Sequence, residues 1–200
     1  MSTPVADAFS SDDTAFLLVG QTRSLSSAQL QRYRRHVVEV LGGDVFVLLK
    51  ASSHEVARLE RAVLRILRPV VANVSTDDHS ARRFAEMSHR VEECLWPPSL
   101  GGYAGGRNLL RGRISRWWGA LQLAHEMVEW RERVRRQQYA RVVMSRADVD
   151  WLAPLPASVA AAPGAWHSAA EPPDAFWALP RRFARYALQT ITLAAECAPA

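Results

Sequence analysis

Residues 141–156, RVVMSRADVDWLAPLP, set an arginine and two acids against the end of an apolar run. Arg146 offers a planar fork of donors suited to phosphate or carboxylate. Asp148 and Asp150 offer hard oxygen ligands of the kind Mg²⁺ or Mn²⁺ accepts, usually with substrate phosphates and water completing the shell. Trp151 follows at once and is large enough to wall a pocket. Earlier in the chain, TAFLLVG (14–20) ends in Gly20-Gln21-Thr22-Arg23. Gly20 lets the backbone approach a ligand closely, and Arg23 supplies a second guanidinium. A divalent ion held between such carboxylates and a diphosphate would stabilise the charge on a departing nucleotide. The rival account is a surface ion pair between Arg146 and Asp148, worth at most about 1 kcal/mol.

For this chemistry to occur, both segments must emerge on the same side of one sheet. TAFLLVG (14–20), DVFVLLK (44–50), VVANV (70–74) and YARVVMS (139–145) read as strands. SSAQLQRYRRHVVEVLGG (26–43) places Leu30, Tyr33, Val37 and Leu41 on one helical face, between a serine cap and two glycines. In 52–69, Ser52 and Glu55 have capping-box spacing, and Val56, Leu59, Val63 and Ile66 share a face. The alternation β-α-β-α-β predicts a mainly parallel sheet with helices on both faces, a Rossmann-like α/β fold. Ligands of such sheets sit at the carboxyl ends of the strands.

Further on, 77–96 reads as partly helical and PPSLGGYAGG (97–106) as a loop. A long helix is predicted over 107–136, with Leu110, Ile114, Trp117, Leu121, Ala124 and Val128 forming one apolar seam. Trp117 and Trp118 are assigned to packing. Residues 152–173 read as loop, and 180–196 as a closing helix with Pro180 at its first turn.

The 200 residues, 48% hydrophobic, suffice for one core, so 14–196 is read as a single domain behind a polar tail, 1–13. The net charge of +5 comes almost wholly from arginine, with Lys50 the only lysine. Acids such as Glu126, Glu129 and Glu132 interrupt the arginine clusters, so a nucleic-acid-binding module is the weakest alternative. Cys94 and Cys197 lie far apart and form no zinc-ligand spacing. Of the histidines only His167, beside Trp166, is kept as a site candidate. No apolar run of membrane-spanning length occurs, and no secretory signal is evident. A soluble chain is expected, cytoplasmic unless a missing anchor places it in the Golgi or secretory lumen.

The motifs FLLVGQTRSL, HVVEVLGGDVFVLL and YARVVMSRADVDWLAPLP resemble a group of eukaryotic glycosyltransferase-like proteins, many described only as domains of unknown function. Gly20, Gln21 and Arg23 match the group's G-Q-x-R strand end, Asp44, Val45 and Phe46 its D-V-F strand, and Tyr139, Arg146, Asp148 and Trp151 its R-x-D-x-x-W core. The resemblance covers roughly residues 15–190. It implies a type A glycosyltransferase fold in a minimal version, a nucleotide-sugar donor, and a glycan, protein or lipid acceptor. On that pattern Gly20, Gln21, Arg23, Arg146 and Trp151 line the donor, Asp148 and Asp150 hold Mn²⁺ or Mg²⁺, and Asp174 is the later acid that activates an acceptor hydroxyl. Ala140 stands where the group usually has aspartate. A relative that keeps the fold and binds a partner without catalysis is the principal alternative.

Overall fold

The computed structural model describes residues 13–22, 25–76, 104–156, 158–159, 167–168 and 175–189; side chains of 104–116 and 167–168 are not described. Six strands form one sheet in the order β3-β2-β1-β4-β6-β5. They are β1 (Thr14–Gln21), β2 (Asp44–Lys50), β3 (Val71–Ser75), β4 (Arg141–Arg146), β5 (His167–Ser168) and β6 (Phe176–Pro180). The first four are parallel to one another, whereas β6 pairs antiparallel with both β4 and β5. The α/β fold expected from the alternation is therefore present.

β1 sits at the centre because both of its faces are apolar. Phe16 and Leu18 join one core, with Leu30, Tyr33 and Val37 of the first helical segment and Leu59, Val63 and Ile66 of the second helix. Ala15, Leu17 and Val19 join the opposite core, with Leu121, Ala124, Val128, Tyr139 and Leu179. A strand buried on both faces reads as a continuous apolar run, as TAFLLVG does.

The helical segments are α1 (Ser27–Tyr33), α2 (Glu39–Leu41), α3 (Val56–Leu67), α4 (Ala104–Arg135) and α5 (Arg181–Leu188). Ser26 caps α1, and a capping box joins it to Gln29. Between α1 and α2 the helix widens into a π turn at Arg34–Val38, where the Glu39 amide reaches back to the Arg34 carbonyl. The Arg34 guanidinium reaches the Ile66 carbonyl near the end of α3. Ser52 does donate to the Glu55 carboxylate, but in the turn ahead of α3, whose N-cap is Glu55.

Four boundaries differ from expectation. α4 begins at Ala104, inside the segment read as loop. β6 falls between the segments read as loop (152–173) and helix (180–196), and its Phe176, Ala178 and Leu179 are buried against β4. The closing helix is α5, ending at Leu188 with Gln189 as its C-cap, and residues 190–196 of the predicted helix lie outside the described residues. Within the stretch read as loop, His167–Ser168 form a short strand against β6. Residues 77–96 also lie outside the described residues. No helix among the described residues is long and apolar enough to cross a membrane.

Candidate functional site

The chain runs from β1 through α1 to β2 and β3 on one side of the sheet, then crosses by α4 to β4 on the other side of β1. The direction of strand order therefore reverses between β1 and β4. In open α/β sheets the crevice outside the strand ends at such a reversal is where ligands bind. The two segments singled out by their chemistry are the two strand ends at this reversal. Val19 pairs with Arg146 in register, and Gln21 with Lys50.

The mouth is stitched by main-chain bonds that continue beyond the strands. The Ala147 amide donates to the Val19 carbonyl at 2.9 Å, and the Arg146 amide to the Ala175 carbonyl at 2.9 Å. Thr22 donates both its amide and its hydroxyl to the Lys50 carbonyl, at 2.9 and 3.2 Å. Gly20 has φ +130°, a conformation side-chain-bearing residues rarely adopt. A Cβ there would lie 3.8 Å from the Ala147 nitrogen and 4.0 Å from the Trp117 ring. Gln21 is exposed at the rim.

Alternation along β4 sends consecutive side chains to opposite faces. Ser145, fully buried, accepts from the Trp151 indole N–H at 3.1 Å, and Trp151 packs edge-on against Phe176, with centroids 5.0 Å apart. Arg146 turns to the α4 face, its guanidinium carbon 5.8 Å from the Trp117 ring centroid. It donates Nε and Nη2 to the two oxygens of Asp148, at 2.9 and 2.5 Å. Trp117, packed against the core as the sequence suggested, thus also walls the mouth.

Asp150 goes elsewhere. A turn closed by the Val149 amide on the Arg146 carbonyl ends the extended backbone, so Asp148 and Asp150 do not share a strand face. Asp150 receives Nε and Nη2 of Arg32, both at 2.7 Å. These bonds hold its carboxyl below the ordinary value and raise the Arg32 guanidinium above its own. Arg32 and the neighbouring His36 escaped the sequence reading. Their i, i+4 spacing puts them on one side of the helical stretch that runs from α1 into the turn after it, but nothing local says which loop that side meets.

Arg23 and Asp174 lie outside the described residues; Ala175, next after Asp174, is the Arg146 partner just named. Among the described residues no three His, Cys, Asp or Glu side chains converge as a cation site. Asp148 and Asp150 each present both oxygens to a guanidinium instead, so the described arrangement does not fit a divalent ion. The Arg146–Asp148 surface pair weighed against a metal role is present.

Away from the mouth, charge is heavily paired. Asp44 takes Arg131 at 3.2 Å and the Tyr139 hydroxyl at 2.6 Å. Burial, then the Asp44 bond, pushes the Tyr139 phenol up to about 12. Among the described residues, arginines and acids are thus interleaved. Compared with protein-family models and with curated proteins, the chain gives no match.

Proposed function

We propose that the protein binds a nucleotide-sugar donor at the β1–β4 mouth and transfers its sugar to an acceptor hydroxyl. The observation that carries this reading is the coincidence of the G-Q-x-R and R-x-D-x-x-W segments with the two strand ends at the sheet's topological reversal. A side-chain-free, positive-φ Gly20 keeps the floor of that mouth open to a close-approaching phosphate or sugar.

In this reading Arg146, propped by Asp148 and stacked on Trp117, faces the diphosphate and stabilises the charge that collects on the leaving nucleotide. Gln21 contributes amide donors and acceptors at the rim. Trp151, with its indole N–H bound to Ser145, presents a fixed aromatic boundary to the sugar. Asp174 is the proposed base for the acceptor hydroxyl. Because both described carboxylates are engaged by arginine, no step is routed through a divalent ion.

The same engagement favours a second reading, a fold relative that binds the donor or a glycan without turning it over. A thermal-shift panel of nucleoside diphosphates and nucleotide sugars, with and without Mn²⁺, tests the binding, and donor hydrolysis or transfer separates the two readings. A stabilisation by one nucleoside diphosphate family is expected. No shift with any member of the panel would overturn the donor site.

A further inference from the structure

We infer that Asp150 is a positioning residue, and that the loop carrying Trp151 is held in place by a clasp on the first helix. Three contacts make the clasp, all between residues far apart in sequence. Arg32 grips Asp150 through two parallel bonds of 2.7 Å. His36 Nδ1 lies 2.7 Å from the Trp151 carbonyl, a geometry in which the ring nitrogen donates. The Leu155 amide returns a bond of 2.9 Å to the His36 carbonyl.

The local shape of the helix makes this exchange feasible. In a regular α-helix the carbonyl of residue 36 would be committed to the helix ladder. His36 lies in the π turn, Arg34–Val38, where the ladder is rearranged, and its carbonyl serves the loop. π turns of this kind are frequent at functional sites. The loop also has an apolar foot, because Leu155 is buried in the core that α1 covers, and Trp151 packs against the same cluster. The clasp therefore fixes the loop by polar bonds at its start and by burial five residues later.

Among the described residues both oxygens of Asp150 go to Arg32, on the side of the sheet opposite Arg146 and Trp117. Its contribution to ligand binding is to keep Trp151 and the turn containing Asp148 where the mouth needs them. That last step rests on the donor-site reading, whereas the clasp itself needs no ligand.

Charge exchange tests the assignment in the full-length chain, using Asp150→Arg, Arg32→Asp, the double exchange, and Asp150→Asn as a milder variant. Two readouts are taken: hydrogen exchange at the Leu155 amide, and the affinity for UDP, GDP and CDP from ligand-dependent thermal shifts. Each single reversal is expected to lower Leu155 protection and nucleotide affinity by about tenfold, and the double exchange to restore both to within about twofold. A metal- or ligand-binding carboxylate cannot be rescued by moving it to residue 32. Failure of the double exchange to restore affinity, with the variants folded, would overturn the positioning role while leaving the donor site standing. If the unaltered protein answers to none of the three nucleotides, the donor reading falls and with it the role in binding. The clasp is then decided by exchange alone: loss in the single reversals and recovery in the double keeps it, and unchanged protection removes it.

Discussion

The Val19 carbonyl accepts the Ala147 amide at 2.9 Å, one step beyond the last residue pair of the β1–β4 ladder. This bond carries the register of two central strands into the loop that bears Asp148 and Trp151. The candidate site is consequently attached to the most deeply buried part of the sheet, and small changes at the strand ends have distinguishable effects.

Gly20 and Gly43 separate strain from collision. At Gly20 the added Cβ of alanine would meet nothing closer than 3.8 Å, so Gly20→Ala costs only the positive-φ strain, about 1–3 kcal/mol. At Gly43, also at positive φ, the same atom would fall 2.1 Å from the Thr14 carbonyl oxygen. Gly43→Ala is expected to cost distinctly more than Gly20→Ala in urea unfolding, about 3 kcal/mol or above. Gly20→Ala should instead be the variant that impairs nucleotide binding. Equal destabilisation by the two would contradict the geometry.

Glu132 and Arg181 form the most enclosed ion pair described, joined by two bonds of 2.8 Å between α4 and α5. Glu132 also accepts the Tyr139 amide at 3.0 Å, tying the end of α4 to the approach to β4. Glu132→Ala leaves the largely buried Arg181 guanidinium with only the half-exposed Glu129, 3.9 Å away, and should cost about 3 kcal/mol. Glu132→Leu combined with Arg181→Met should cost clearly less than Glu132→Ala, since the stranded charge is gone. A double-mutant cycle by chemical denaturation measures the difference, and a cost below 1 kcal/mol for Glu132→Ala would refute the burial argument.

The strands and the two covered faces were legible because apolar patterning and β-α alternation are local signals. DVFVLLK gives β2 residue for residue. β6 was not, because the short FWALP carries a proline at its end, and its strand character comes from pairing with β4. The π turn leaves the apolar spacing of Tyr33, Val37 and Leu41 helix-like, so periodicity does not report it. Within the site, Gly20, Gln21, Arg146 and Asp148 could be picked out by strand-end position and residue chemistry. The separate destinations of Asp148 and Asp150 could not, since they depend on a turn at 146–149 and on an arginine 118 positions away.

His125 gives the fold a pH dependence of definite sign. It is fully buried on the side of α4 that meets the end of α5, accepts from Gln189 at 3.0 Å on Nδ1, and finds no partner for Nε2 among the described residues. Burial first, then the nearby Arg181 and Arg185, lower its pKa to about 4, against an opposing pull from Glu132. Glu129 lies 3.6 Å from the ring. The folded state thus binds its proton later than the unfolded chain as pH falls. The stability from keeping His125 neutral is fully present above about pH 6.5 and is lost progressively towards pH 4, by about 3 kcal/mol in all. His125→Leu should flatten the slope of unfolding free energy across that window by roughly one proton's worth. An unchanged slope between pH 4.5 and 6.5, taken as roughly the titration range, would show that His125 is not the responsible group.

Asp148 is expected to matter more to the ligand than Asp150, for reasons the geometry makes specific. Asp148 fixes Arg146, and Arg146 lies on the Trp117 wall beside Gly20, whereas Asp150 acts at a distance through Arg32. Asparagine keeps the shape of Asp148 but removes its charge and one of the acceptors of the guanidinium fork. The pair is substantially exposed, with side-chain exposures of 29% and 49%, so folding should lose less than about 1 kcal/mol. Nucleotide-sugar binding should be abolished in Asp148→Asn, with or without Mn²⁺, and only weakened in Asp150→Asn. Arg146→Lys should resemble Asp148→Asn, because an ammonium cannot reproduce the fork or the stacking on Trp117. Binding that survives Asp148→Asn would remove the residue from the site. A large loss of stability in that variant, measured by urea midpoint, would reassign the Arg146–Asp148 pair to holding the fold.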